Sequence, residues 1–130
     1  MNNSNLKSLE ALPEGIERLT ASIDGYEVLV RYQGWRVAVI TYAAHFDVRN
    51  LCKLERHMMT DEVFVLLDGQ ATLYIGSEGA EVEMESRTVY NVKCGEWHSI
   101  SVSPGAHVLI CENIETGKAN SEYMDWLPFK

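Results

Sequence analysis

Between Tyr26 and Tyr32 the side chains Tyr26, Val28, Val30 and Tyr32 alternate with Glu27, Leu29 and Arg31, a period of two that predicts a strand with one apolar face. Gln33-Gly34 marks a turn, and Trp35 to Ala44 predicts a second strand, apolar on both faces apart from Arg36 and Thr41. Further along, Asp68-Gly69 has the composition of a tight hairpin turn between two β-prone runs. Such a hairpin sets Leu67 opposite Gln70. Glu62, Phe64, Leu66, Ala71, Leu73 and Ile75 then share one face, and Val63, Val65, Leu67, Gln70, Thr72 and Tyr74 the other. The first of these faces is apolar except for Glu62.

The same reading predicts short strands over Ala80 to Glu85 and Arg87 to Val92, joined at Glu85-Ser86, with a turn over Lys93 to Glu96. His98 opens the next strand. Ile100 and Val102 share its face while Ser99, Ser101 and Ser103 take the other, so His98 is expected to point inward. Pro104-Gly105 turns the chain into a last strand, Ala106 to Asn113. His45 to Asn50 reads as a loop and Leu51 to His57 as extended or irregular. About eight short strands separated by turns predict an all-β sandwich or barrel.

Before the strands, Leu6, Leu9, Leu12, Ile16 and Leu19 recur at helix-like intervals but are interrupted by Pro13 and Gly15. The expectation is a short helical cap within residues 1–22, a barrel over 26–115 and a tail over 116–130, all in one domain. Tyr123, Trp126, Leu127 and Phe129 make that tail apolar enough to pack on the barrel or on a second subunit.

Composition narrows the partners. A formal net charge of −8 without clustered Lys or Arg disfavours nucleic acid. The alternating Glu81, Glu83 and Glu85 read as a solvated strand face that keeps neighbouring chains from pairing. Cys52, Cys94 and Cys111 are odd in number and widely spaced, which suggests neither a disulfide framework nor a zinc knuckle and fits a reducing cytoplasm. No run approaches the ~20 apolar residues of a membrane span.

Chemistry concentrates where ionisable groups end apolar faces. Glu62 and His98 each do so, and both faces are expected to line the same interior. A carboxylate beside a low-dielectric interior is costly unless hydrogen bonds or a cation accompany it. Either an imidazole partner or a metal ion binding both groups meets that need. His57, five residues before Glu62, adds a third donor. Two His and one carboxylate form the facial set of non-haem Fe(II) sites, a set that also suits Mn, Ni, Zn or Cu.

His57-Met-Met-Thr-Asp-Glu62, followed after six residues by Gly69, resembles the second half of the first cupin motif, and Gly95-Glu-Trp-His98 resembles the second motif. The resemblance spans roughly Tyr26 to Glu115. It implies a cupin-type jelly roll, a double-stranded β-helix barrel with a divalent metal ion at its mouth. Two positions depart from the pattern. Glu55 stands where the family usually has another His, and Lys93 where it usually has Pro. Glu55 can ligate a hard cation or face solvent, since the alternation from Leu51 to His57 admits both.

The metal-ligand candidates are therefore His57, Glu62, His98 and Glu55. His45, near Asp47, is a candidate proton-transfer group whose simpler reading is a solvated loop histidine, and His107 reads as a structural histidine, with a pocket-wall residue as the alternative. Tyr26, Tyr32, Trp35, Phe64 and Tyr90 are candidate pocket aromatics that core packing also explains. The expected function is metal-dependent catalysis on a small polar metabolite by dioxygenase, isomerase or lyase chemistry. The alternative is a metal-free cupin that binds or senses a sugar or other metabolite. The doubly apolar strand from Trp35 and the aromatic tail predict a homodimer.

Overall fold

Period-two alternation becomes ten strands in the computed structural model, which describes residues 11–129. They are β1 (Tyr26–Tyr32), β2 (Trp35–Thr41), β3 (Lys53–His57), β4 (Glu62–Asp68), β5 (Ala71–Ile75), β6 (Ala80–Glu83), β7 (Val89–Val92), β8 (His98–Val102), β9 (His107–Asn113) and β10 (Ser121–Asp125). Two five-stranded antiparallel sheets result, one ordered β1-β2-β9-β4-β7 and the other β10-β3-β8-β5-β6. The architecture is all-β.

The chain passes from sheet to sheet at nearly every turn, and this corrects the predicted hairpin. β4 and β5 do not pair; Asp68-Gly69 is a corner that carries the chain from the first sheet to the second. A hairpin and a corner impose the same alternation, so the face assignment survives while the pairing does not. Phe64 and Leu66 point into the core from one sheet, Ala71 and Leu73 from the other. Gly69 is required at the corner: its φ is +79°, and a Cβ there would lie 2.5 Å from the Ala106 Cα. β6 and β7 likewise fall in different sheets rather than forming a pair.

Between the sheets, Ala38, Ile40, Phe64, Leu73, Val108 and Ile110 form the main core. Each large aliphatic or aromatic side chain buried there contributes roughly 1.5–3 kcal/mol from removal of apolar surface from water. A second cluster lies on the other face of the second sheet, where Leu51, Leu54 and Tyr74 meet Trp97, Met124 and Trp126. Here Ser101, expected to face solvent, is buried, with its hydroxyl 3.0 Å from that of Tyr74.

The last segment is more than a packed tail. β10 pairs along its length with β3, setting Ser121 opposite His57 and Tyr123 opposite Glu55. Trp126 stacks near Tyr74, with ring centroids 5.2 Å apart, and lies over Gly79, where a Cβ would come within 2.3 Å of the indole. Leu127 and Phe129 remain exposed.

The predicted helical cap falls partly on residues 1–10, outside the described residues. Over 11–22 the structure overturns it, showing a turn at Glu14-Gly15 and no helix. Pro13 withholds a backbone donor, Gly15 takes a φ of +91°, and Ile16 and Leu19 stay exposed, so no buried apolar stripe supports a helix. The loop after β2 folds into two short 3-10 turns, Ala44–Phe46 and Val48–Asn50. Asp47 holds the second by accepting from the Arg49 amide at 3.0 Å and the Tyr42 hydroxyl at 2.7 Å. Among the described residues, no helix is long and apolar enough to cross a membrane.

Candidate metal centre

The site lies where both sheets end at one mouth of the barrel. β3 contributes Glu55 and His57, β4 begins with Glu62, and β8 begins with His98. Leu54 is fully buried in the second core cluster, which settles the alternation along β3 and turns Glu55 and His57 to the opposite, cavity side. Glu55 is paired directly across from His98. Ligand atoms of Glu55, His57 and His98 all lie within 4.8 Å of one another. Glu62 Oε1 is 3.3 Å from His57 Nε2 and 3.1 Å from His98 Nε2. The four residues singled out in the sequence thus converge, with His57, Glu62 and His98 all buried.

Hydrogen bonds behind the rings fix what each ring presents. His98 Nδ1 is 3.1 Å from the Glu96 carbonyl, which can only accept, so Nδ1 carries a proton and Nε2 faces Glu62. His57 Nδ1 is 2.8 Å from the Ser121 hydroxyl, and that hydroxyl donates to the Gly117 carbonyl at 2.6 Å. The hydroxyl's one proton is committed, so His57 Nδ1 must donate, and in the neutral ring Nε2 is left with its lone pair. That Nε2 is buried without a hydrogen-bond partner. Two inward-facing ring nitrogens and a carboxylate oxygen within 3.3 Å of each are donors gathered around a place for a cation. The donor set fits a divalent metal ion.

Titration follows from the same geometry. Burial opposes ionisation of Glu62, yet the imidazole contacts, which donate to it when His57 and His98 are protonated on Nε2, outweigh it and hold its carboxyl well below the usual range. Burial also disfavours a charged His98, but the Glu62 carboxylate prevails and raises that imidazole above its ordinary value. That shift favours a proton on His98 Nε2, shared with Glu62 at 3.1 Å.

One wall of the site was missed in the sequence. Glu112 on β9 pairs directly across from Glu62 and is buried. Burial and the neighbouring Glu62 carboxylate push its carboxyl upward. The Tyr26 hydroxyl donates to it, as does Arg36 Nε at 3.0 Å, and Arg36 Nη2 bonds the Thr116 carbonyl at 2.5 Å. A signal existed. Glu112 closes the inward series Val108-Ile110 and Arg36 opens Ala38-Ile40, the pattern that drew attention to Glu62.

These groups rim a cavity of about 590 Å³ floored by Ile40, Phe64, Ile100 and Ile110, a size suited to a small molecule. Of the other candidates, His45, Tyr26 and Phe64 line it. Tyr32 and Trp35 are exposed, their tilted rings 6.2 Å apart, Tyr90 accepts from the Glu85 amide at 2.8 Å, and His107 pairs with Asp68 at 2.6 Å on the outer surface.

No family model matches the sequence, and no curated protein matches it. Solved structures do. A cupin-2 domain containing protein from Shewanella frigidimarina aligns at 14% identity and a TM-score of 0.53, over 87% of this chain and 93% of its own. A cupin protein from Bacteroides fragilis aligns at 15% and 0.55, over 82% and 89%. FeII HppE in complex with substrate aligns at 18% and 0.55, over 80% of this chain and 60% of its own. The chain therefore shares the fold of these cupin structures: two antiparallel sheets forming a barrel whose mouth gathers His57, Glu62 and His98.

Proposed function

We propose that the chain binds one divalent metal ion through His57, Glu62 and His98, with Glu55 as a further oxygen donor, and acts on a small polar metabolite in the adjoining cavity. The unpartnered, buried Nε2 of His57, held beside the Glu62 carboxylate, is the observation that carries this reading. An isolated lone pair in that position costs roughly 1–3 kcal/mol, which a bound cation recovers. The iron(II) in HppE, a protein of like fold, supports a metal of this class.

Held by His57, Glu62 and His98, a divalent ion would supply Lewis acidity toward a substrate carboxylate or carbonyl oxygen. The protein's part is to fix geometry and exclude water. Phe64, Ile100 and Ile110 form an apolar floor, while Tyr26 and Arg36 hydrogen-bond Glu112 in place beside Glu62. Dioxygenation, isomerisation and lyase chemistry all draw on such an arrangement. The free cysteines support a reducing, cytoplasmic setting. The half-buried Val37, Val63, Val65 and Leu109 on the outer face of β2, β4 and β9 support a homodimer.

Elemental analysis of protein purified without chelator, beside a His98→Ala variant, tests the centre. Near-stoichiometric Mn, Fe, Ni, Zn or Cu in the parent, lost in the variant, is the expected result. A parent that takes up none of these ions overturns it. One observation favours the second reading, a metal-free binding cupin: Glu62 and His98 already satisfy each other at 3.1 Å.

A further inference from the structure

We propose that Ser121, on the C-terminal strand β10, is a positioning residue that sets the His57 tautomer for metal capture and so links metal affinity to docking of that strand. The inference rests on the metal-site reading above for its second half only. Its first half concerns hydrogen bonds present without any ion.

A neutral imidazole carries its proton on either nitrogen, and only the form with Nδ1–H leaves Nε2 free to bind a metal from the cavity side. What sits behind Nδ1 decides. Here it is a hydroxyl, which by itself could donate or accept and would leave the choice open. The Gly117 carbonyl closes the choice. Lying 2.6 Å from Ser121 Oγ, it takes the hydroxyl proton and leaves the oxygen able only to accept from His57 Nδ1 at 2.8 Å.

Ser121 is placed from both sides. Upstream, the Met58 amide donates to the Asn120 carbonyl at 2.7 Å, and the Asn120 side chain donates to the Glu115 carbonyl at 2.8 Å. Downstream, β10 runs antiparallel to β3 as far as Asp125 opposite Lys53. The Trp126 amide then donates to the Cys52 carbonyl at 3.0 Å, and its indole packs near Tyr74. The strand holds the hydroxyl, the hydroxyl holds the ring, and the ring presents its lone pair. By linkage, an ion bound at Nε2 stabilises the docked strand by the factor that docking adds to its affinity.

The test compares Ser121→Ala and Ser121→Thr with the parent, by two readouts. In metal-stripped protein labelled with ¹⁵N-histidine, the His57 ring nitrogens report the tautomer directly. The parent and the Thr variant are expected to show a protonated Nδ1 and a lone pair on Nε2, and the Ala variant a shift toward the opposite form. Zn²⁺ affinity, measured against a chromophoric chelator, should fall roughly 10- to 100-fold in the Ala variant, the usual effect of losing a partner of a metal-bound His, and return with Thr. An Ala variant that loses thermal stability but keeps both the tautomer and the Zn²⁺ affinity reduces Ser121 to a structural contact and overturns the proposal. So does a parent with its proton on Nε2. Should the parent bind no Zn²⁺, the metal reading falls, and the tautomer alone still decides whether Ser121 sets the ring.

Discussion

Two motif glycines have the same kind of backbone conformation and very different surroundings, so alanine at each separates conformational strain from packing. Gly69 has φ of +79° and Gly95 φ of +81°, and either substitution forces an L side chain into the left-handed region at about 1–2 kcal/mol. Beside Gly95 a Cβ meets nothing within 4 Å, so Gly95→Ala is expected to cost that amount alone. Beside Gly69 it comes within 2.5 Å of the Ala106 Cα and 2.7 Å of its Cβ, far inside the ~3.5–4.0 Å of a comfortable carbon contact. The obstacle is backbone in the turn between β8 and β9 and cannot rotate away. An overpacking cost of about 1–3 kcal/mol adds to the strain, giving about 2–5 kcal/mol for Gly69→Ala. With a urea m-value of about 2 kcal/mol/M, the midpoint should move down by about 1–2.5 M for Gly69→Ala and about 0.5–1 M for Gly95→Ala. Equal losses within about 0.5 kcal/mol would refute the reasoning, because the Asp68-Gly69 corner would then stand clear of the Ala106 turn.

Two further outcomes are expected. In metal-stripped protein the depressed Glu62 carboxyl contributes stability above the ordinary carboxylate range and loses it as pH falls through its folded value, while the raised His98 contributes below its ordinary imidazole value and loses it as pH rises through its folded value. Thermal midpoints of stripped protein should therefore decline above about pH 6.5, whereas added metal should reverse that slope because its ligands bind deprotonated; a stripped protein that gains stability from pH 6 to 8 contradicts this. For assembly, Val65→Asp places a charge amid the half-buried Val37, Val63 and Leu109, so sedimentation should show a monomer where the parent is a dimer, and a parent monomeric at high concentration removes the dimer proposal.

How much of this was legible in the sequence depended on which interactions are local. Period-two alternation reports which side of a strand is buried, so the inward faces of β4, β5 and β8 were readable from residues alone, as was the inward turn of His98. Sheet membership was not. The run from Glu62 to Ile75 has the alternation of a hairpin, and what makes Asp68-Gly69 a corner is Ala106, whose turn lies beyond four intervening strands. The short strand β10 was hidden for a related reason. Its five residues, Ser-Glu-Tyr-Met-Asp, are held by pairing with β3 and by Trp126 over Gly79, neither of which local propensity records.

The site divides along the same line. Glu62 and His98 stood out because each is a charged group at the end of an apolar face, a conflict visible within a few residues. Glu112 and Arg36 raise the same conflict on β9 and β2 and could have been found by the same test. Ser121 could not. It ends a polar stretch, violates no pattern, and gains its role only because β10 places it opposite His57 with the Gly117 carbonyl taking its proton. Ligands that must sit beside a dry interior leave a trace in the alternation, since burying them costs free energy that only a partner returns. Groups that orient such ligands from the half-exposed edge have ordinary surroundings and leave none, so the candidate donors His57, Glu62 and His98 are readable in this chain while Ser121, hydrogen-bonded behind one of them, is not.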